Sequence, residues 1–205
     1  MLQNRVDPRG NIIKTSARGA WLGNRGVLHN ERREIRRSFK HKAWIICVLE
    51  FKGRKRTVMT PNRWTELFFL DEATAFSAGH RPCFECRRAA ASSFKSFWIS
   101  GNPEYHFTEA SSIADIDAIL HRERIDLQEG GVMREEDISD LPVGSFVLYQ
   151  DRPFVVTETL LFPWSPFGYG EGIEKSGLGH VRVLTPESVV NAFRAGYVPQ
   201  VAVTG

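Results

Sequence analysis

Residues 68–88 read FFLDEATAFSAGHRPCFECRR, and this stretch carries the strongest chemical signal in the chain. It holds Cys83 and Cys86, two of the three cysteines, and His80 lies three residues ahead of the first of them. Thiol and imidazole groups are zinc ligands, and they also serve as nucleophiles and bases. The stretch therefore predicts a metal site or a reactive cysteine, and we expect the fold to form around it.

The same stretch predicts two helices joined by a turn. The first covers residues 70–76 and begins near Asp71, because a carboxylate is stabilised by the free amides of a helix start. Gly79 ends this helix. The second runs from residue 84 to about residue 101, which would place Cys86 in its first turn. Free amides and the helix dipole lower a thiol pKa at that position, which suits a metal ligand or a nucleophile.

The run from residue 69 to residue 86 resembles the second half of the zinc-binding module of the Ada-type DNA alkylation-repair proteins. Its core is GHRPCFEC, residues 79–86. The resemblance implies that Cys83 and Cys86 supply two thiolates to a zinc ion, and that the following helix packs on a small sheet. It covers about a tenth of the chain and implies nothing about the rest.

The sequence departs from that module at its other cysteine pair. The family has this pair ~30 residues upstream, and tetrahedral zinc takes four ligands. Here that region reads EFKGRKRTVMT, residues 50–60, and Cys47 stands alone 36 residues before Cys83. The methyl-accepting cysteine of the family belongs to the missing pair, so methyl transfer is not implied. The candidates that remain to complete a metal site are a carboxylate or one of Cys47, His80, His29 and His41.

The composition is that of a globular protein, with 42% apolar and 25% charged residues over 205 positions. No apolar run reaches the ~18 residues that a membrane helix needs. The first residues, MLQNRVDPRGN, lack the apolar core of a secretory signal. Three cysteines, two of them in a Cys-x-x-Cys, fit a reducing compartment better than a disulfide scaffold. We therefore expect a cytoplasmic protein with no membrane partner.

Charge is distributed unevenly along the chain. Residues 1–60 hold 15 Lys or Arg against 4 Asp or Glu, whereas residues 101–205 hold 7 against 16. A basic half points to a polyanion such as DNA or RNA, although mutual attraction of the two halves would explain the pattern equally well. The candidate nucleic-acid-binding residues are Arg25, Arg32, Arg33, Arg36, Arg37, Arg54, Lys55, Arg56, Arg81 and Arg87.

A hairpin is predicted in the middle of the basic half. Residues 43–51 are almost continuously apolar and predict a buried strand, which a turn at residues 52–55 would connect to a second strand over residues 56–60. Cys47 lies within the first strand, so we interpret it as a packed core residue, with metal ligation as the alternative. Before the hairpin, glycines between short apolar pieces indicate brief strands and tight turns over residues 1–30.

The second half predicts a helix followed by a small β-rich unit. On a helix over residues 112–127, Asp117, His121 and Arg124 share one face, which fits either an Asp-oriented catalytic histidine or ordinary surface pairing. Two strands meet at residues 150–153, another strand follows near residue 180, and residues 186–195 form a closing helix. The aromatic loop over residues 162–180 could bind a ligand or could cap the core.

Together these patterns predict an α+β fold of small antiparallel sheets with packed helices. Residues 1–100 would contain the basic hairpin and a treble-clef or Ada-like cysteine motif, residues 101–140 a helical connection, and residues 141–205 a small sheet or partial barrel with its helix. We expect a nucleic-acid-associated protein built on a zinc-binding module. The alternatives are an enzyme whose catalytic candidates are His80, Cys83 and His121, and a module that binds a small molecule or protein.

Overall fold

The computed structural model describes residues 1–54, 57–128 and 130–203. The strands in these ranges are β1 (Gln3–Val6), β2 (Ile12–Lys14), β3 (Trp21–Asn24), β4 (Ile45–Cys47), β5 (Leu67–Phe69), β6 (Arg81–Pro82), β7 (Glu135–Asp137), β8 (Phe146–Tyr149), β9 (Arg152–Val156), β10 (Leu160–Ser165), β11 (Gly168–Tyr169), β12 (Ile173–Glu174) and β13 (His180–Val183). The helices are α1 (Glu72–Ser77), α2 (Arg88–Gly101), α3 (Ile113–Gln128) and α4 (Glu187–Arg194). Single 3-10 turns cover Pro103–Tyr105 and Ile138–Asp140.

The strands form two sheets, which confirms the predicted α+β class. The first sheet has the order β2-β1-β5-β3-β4-β6. The second has the order β11-β10-β9-β8-β13-β7, with β12 paired to β10. The second sheet is antiparallel throughout, but the first is mixed, because β1 runs parallel to β5 and β4 runs parallel to β6. The prediction of small antiparallel sheets is therefore right for the second sheet only.

The first sheet brings distant segments together around β3. Leu22 of β3 lies opposite Cys47 of β4 on one side and Phe68 of β5 on the other. Gly23 permits this packing, since a Cβ added there would lie 2.3 Å from the ring of Phe69. Two of the short apolar pieces between glycines, Ile12-Ile13 and Trp21-Leu22, thus lie in strands as their sequence predicts, whereas Val27-Leu28 does not.

The predicted hairpin over residues 43–60 is wrong. Among the described residues of this range, only Ile45–Cys47 forms a strand, and residues 57–60 form a turn that buries Met59. Lys55 and Arg56 lie outside the described residues. The partners of β4 are β3 and β6. A central position between two strands satisfies both edges of β4 and buries more of it than a two-stranded hairpin would, which explains the outcome.

Most of the predicted elements in the second half are confirmed. The pair of β8 and β9, the strand β13 and the helices α3 and α4 all form near their expected positions. In the first half, helix α2 begins at Arg88 and not at residue 84 as predicted.

Helix α4 lies between the two main hydrophobic clusters. Val189 and Phe193 pack with residues of the first sheet and of α2, whereas Val190 packs with residues of the second sheet. The predicted division at residues 100 and 140 remains a prediction, although the first cluster runs from Val6 to Tyr197. No helix among the described residues is both long and apolar enough to span a membrane.

Candidate functional site

The structure brings all three cysteines together. Parallel pairing sets Ile45 opposite Arg81 and Ile46 opposite Pro82, so Cys47 at the end of β4 comes beside Cys83 just after β6. The amide of Cys83 donates to the carbonyl oxygen of Ile46 at 3.0 Å. The sulfur atoms of Cys47, Cys83 and Cys86 all lie within 4.8 Å of one another, and the cluster they form could hold a metal ion.

A tight turn places Cys83 and Cys86 on the same side. The amide of Arg87 donates to the carbonyl oxygen of Cys83 at 2.9 Å, and the amide of Glu85 donates to its sulfur at 3.3 Å. This turn occupies residues 84–86, so Cys86 precedes α2 and does not lie in its first turn as the sequence predicts. Nearby turn amides, and not the helix dipole, are therefore the backbone donors at the cysteines.

The three thiols perturb each other's pKa. A hydrogen bond from Cys47, together with the turn amides, lowers the pKa of Cys83 to about 5 despite its burial. The same hydrogen bond and burial raise the pKa of Cys47. Burial raises the pKa of Cys86, and the negative charge of Cys83 adds to this effect. The cluster thus favours a single thiolate, at Cys83, that accepts a hydrogen bond from the thiol of Cys47. A bound metal ion would take the place of the thiol protons.

Apolar side chains enclose the cluster on one side. Leu22, Ile45, Trp64 and Phe68 pack against the cysteines. Leu22 and Phe68 also line a cleft of about 720 Å³, whose wall includes Glu50, Arg54 and Glu66. Cys47 is therefore a packed core residue that is also a member of the thiol cluster.

The histidines that could complete a metal site lie in other surroundings. His80 is fully buried, and its Nε2 accepts a hydrogen bond from Nε of Arg25 at 3.2 Å. His29 contacts the hydroxyl of Thr65 at 2.6 Å, and His41 is exposed. Among the described residues, no His, Asp or Glu joins the three cysteines within 4.8 Å.

The candidate nucleic-acid-binding residues divide into exposed and buried groups. Arg32, Arg33, Arg36 and Arg37 are exposed on one loop. Arg54 is half exposed and pairs with Glu85 at 2.8 Å.

The side chains of three further arginines of that set are mostly buried. Arg25 is fully buried, Arg81 pairs with Asp117 at 2.6 Å, and Arg87 stacks on Trp21 with its guanidinium carbon 4.0 Å from the ring centroid. Lys55 and Arg56 lie outside the residues that the structure describes. Among the described members of the set, the exposed side chains are therefore those of Arg54 and of the loop that carries Arg32, Arg33, Arg36 and Arg37.

The face of α3 that carries Asp117, His121 and Arg124 points inward. Asp117 accepts two hydrogen bonds from Arg81, at 2.7 and 2.6 Å, and none from His121. The ring of His121 packs edge-on against Phe39, with centroids 4.6 Å apart. The face is neither the surface pairing nor the Asp-His arrangement that the sequence suggests.

The aromatic loop is mostly fixed to the core. Trp164 donates to the hydroxyl of Thr74 at 3.1 Å, and the hydroxyl of Tyr169 donates to Asp71 at 2.7 Å. Only Phe167, which is 72% exposed, projects from the tip between β10 and β11. The contacts of Trp164 and Tyr169 agree with the interpretation of this loop as a cap.

The sequence does not predict that Arg25 and Arg124 lie together. Arg25 and Arg124 place their guanidinium carbons 4.0 and 4.2 Å from the ring centroid of Trp44. Gly79 makes room for Arg124, because a Cβ there would lie 2.4 Å from its Nε. Gly79, the glycine that follows the end of α1, was the available signal, but it did not indicate a partner 45 residues away.

Comparison of the chain with models of protein families, with curated proteins and with solved structures finds no match.

Proposed function

We propose that this chain is a zinc-binding protein whose metal site is formed by Cys47, Cys83 and Cys86. The observation that carries the proposal is the convergence of three sulfur atoms within 4.8 Å. Two thiolates on one zinc ion lie about 3.8 Å apart, given Zn–S bonds of about 2.3 Å and tetrahedral angles. Small side-chain rotations would therefore bring the sulfurs to ligand positions.

The chemistry of the cluster supports zinc in particular. Thiolates are soft ligands that select zinc, copper(I) and iron–sulfur clusters over magnesium or calcium. The turn amide of Glu85 donates to the sulfur of Cys83, which stabilises negative charge on that ligand. Three protein ligands leave a fourth position for water or another molecule, as in zinc sites that are open to exchange. The likeness of residues 68–88 to the Ada-type module agrees with this assignment.

Elemental analysis of the protein, purified without chelator, tests the zinc site. We expect about one zinc ion per chain. Cys47→Ser and Cys83→Ser should each lose most of the metal, whereas His80→Gln should keep it, because His80 lies with Arg25 and not with the cysteines. A wild-type protein that contains no zinc and takes up no Co²⁺ in a tetrahedral thiolate site would refute the proposal.

We propose nucleic-acid association as a second activity, on the evidence of the exposed basic loop. Between residues 32 and 42 the side chains of Arg32, Arg33, Arg36, Arg37, Lys40 and Lys42 are mostly solvent-exposed. Within the part of the chain that the structure describes, only Arg36 of this group has an ion-pair partner, Glu34 at 2.9 Å, and this pair is itself exposed. Such side chains can neutralise phosphates without first breaking buried contacts.

The salt dependence of binding to mixed-sequence oligonucleotides tests this activity. Replacement of Arg32, Arg33, Arg36 and Arg37 by Gln should weaken binding and reduce the slope of log K against log salt by up to ~0.9 for each lost phosphate contact. The matched control replaces four other exposed arginines, which are Arg18, Arg63, Arg88 and Arg152. Equal effects of the two quadruple variants would show that the loop has no special role.

A further inference from the structure

The three cysteines of the cluster differ in their access to solvent. All three are free thiols, but Cys47 and Cys83 are buried, with 9% and 7% of their surface exposed. Cys86 is only partly buried, since it lies in the turn before α2. A reagent in solution therefore reaches the sulfur of Cys86 before it reaches the other two.

The sulfur of Cys83 lies close enough to that of Cys86 to form a bond with it after a small movement. The two atoms are within 4.8 Å of each other, and a disulfide brings them to about 2 Å. Only a tight turn separates the two residues, so side-chain rotation can close this gap without moving a strand. The amide of Glu85 donates to the sulfur of Cys83 at 3.3 Å, and such a donor stabilises an attacking thiolate.

The alternative pair is Cys47 with Cys83, which follow the paired positions Ile46 and Pro82 of β4 and β6. That disulfide would join the two buried thiols and leave out the accessible one. Cys47 is also held in register opposite Leu22 in the middle of the first sheet. Access to solvent and freedom to move thus both favour the pair of Cys83 and Cys86.

We propose that Cys83 and Cys86 form a redox pair, in which a hydroperoxide converts the two thiols into a disulfide. The sulfur of Cys86 takes the terminal hydroxyl group of the hydroperoxide, the oxygen–oxygen bond breaks, and an alcohol leaves, or water in the case of hydrogen peroxide. The sulfur of Cys83 then attacks the sulfenic acid at Cys86, and the sulfur–oxygen bond breaks as water leaves. Overall, two thiols and one hydroperoxide give one disulfide, one alcohol and one water.

In a chain that holds zinc, this oxidation empties the metal site, and that consequence rests on the proposed zinc site. The disulfide removes two of the three thiolate ligands, and Cys47 by itself is too few ligands for zinc. The products then take their two protons from solvent, because the zinc ligands are already thiolates. Two molecules of a small thiol restore the pair and are themselves joined in a disulfide. Reversible disulfides of this kind are typical of redox sensing in a reducing compartment.

Peptide mapping of the full chain, purified without chelator and treated with hydrogen peroxide, tests the pair. Free thiols are blocked with iodoacetamide, and the chain is digested with trypsin without reduction. Because trypsin does not cut an Arg–Pro bond, Cys83 and Cys86 stay together in residues 64–87, and Cys47 lies in residues 43–52. We expect the first peptide to be unalkylated and lighter by two hydrogen atoms than its reduced form, and the second to be alkylated. A coloured zinc chelator should report about one zinc ion released for each disulfide.

Two variants that each remove one thiol of the cluster separate the redox role from the structural one. Cys86→Ser should keep both remaining thiols at a peroxide dose that oxidises most of the wild-type protein. Cys47→Ser should still form the disulfide at that dose, although it should hold little zinc. Because both variants lose a metal ligand, the difference between them reports on the redox pair and not on metal loss.

Three results would overturn the redox pair. They are a peptide of residues 64–87 that stays reduced in excess peroxide, a disulfide that joins it to residues 43–52, and equal oxidation of Cys86→Ser and Cys47→Ser. Zinc that stays bound to the disulfide form would overturn the release of the metal. A wild-type protein that contains no zinc and still forms the disulfide would refute the zinc site and support the redox pair, so the two proposals fail separately.

Discussion

Arg81 and Asp117 show at the scale of single residues how a buried charge depends on its partner. Their side chains are 6% and 5% exposed, and two hydrogen bonds of 2.7 and 2.6 Å join them. Asp117→Asn would leave the Arg81 guanidinium buried beside a neutral group, so we expect a loss of about 3–5 kcal/mol in unfolding free energy. Urea denaturation measures this loss.

The exposed pair of Arg182 and Asp151 provides the control for that prediction. Asp151 is 83% exposed, and its positive φ of 57° is one that Asn also tolerates. Asp151→Asn should therefore cost less than about 1 kcal/mol. If the two variants lose the same stability, burial is not what makes the Arg81 pair important.

The protonation of His80 makes the stability of the fold depend on pH. Burial and the charges of Arg25 and Arg124 lower its pKa well below the ordinary value of about 6.5. As the pH falls through that value, the unfolded chain binds a proton at His80 that the folded chain does not, so stability is lost on acidification. His80→Gln keeps an acceptor for Arg25 and should reduce this loss between pH 7 and pH 5 in thermal unfolding scans. An unchanged pH dependence would show that His80 does not contribute to it.

At the scale of the secondary-structure element, the start of helix α1 depends on its N-cap Asp71, which the sequence identifies. Asp71 accepts hydrogen bonds from the amide of Thr74 at 2.7 Å, from the hydroxyl of Tyr169 at 2.7 Å and from the amide of Ala202 at 2.9 Å. The capping role is predicted and confirmed. The other two contacts join the helix to the aromatic loop and to the end of the chain, which no local pattern could predict.

Asp71→Ala should therefore cost more than loss of an ordinary helix cap. The change removes the cap and leaves the buried hydroxyl of Tyr169 without its acceptor, so we expect about 2–4 kcal/mol of destabilisation. Asp137→Ala serves as the control, since Asp137 caps an exposed 3-10 turn through Ser139 alone and should have a smaller effect. A loss no larger than that of the control would mean that Tyr169 finds another partner. Thermal unfolding measures both.

At the scale of the whole molecule, α4 joins the two hydrophobic clusters. Phe193 is 5% exposed, and its ring centroid lies 5.4 Å from that of Phe76 and 6.1 Å from that of Tyr197. Phe193→Ala should destabilise the protein by about 3–5 kcal/mol because it leaves a cavity in this packing. Phe167→Ala removes an exposed ring of the same type and should change stability by about 0.5 kcal/mol at most.

Whether the protein unfolds in one transition or in two tests the predicted division of the chain at residues 100 and 140. Four of the five tryptophans precede residue 100, so fluorescence reports mainly on the first part, whereas circular dichroism reports on the whole. Because α4 contacts both clusters, we expect the two signals of Phe193→Ala to shift together. Separate transitions would instead support independent units on either side of residue 140.

The sequence by itself determined the local features of this protein. Spacing and composition identified the short helix with its Asp71 cap and its end at Gly79, helices α3 and α4, and the pair of β8 and β9, whereas residues 81–82, predicted as part of a turn, form strand β6. These features depend on hydrogen bonds and side-chain periodicity within a few residues, which the order of amino acids contains directly.

Only the tertiary structure decided which distant residues meet. Cys47 joins Cys83 and Cys86 because β4 lies parallel to β6, and a buried ion pair joins Arg81 of β6 to Asp117 of α3. In the folded chain, β4 lies between β3 and β6 and does not form the predicted hairpin. Arg25 and Arg124 are buried around Trp44. The free energy of such contacts comes from burying apolar surface and pairing buried polar groups across the whole fold, so local patterns do not specify it.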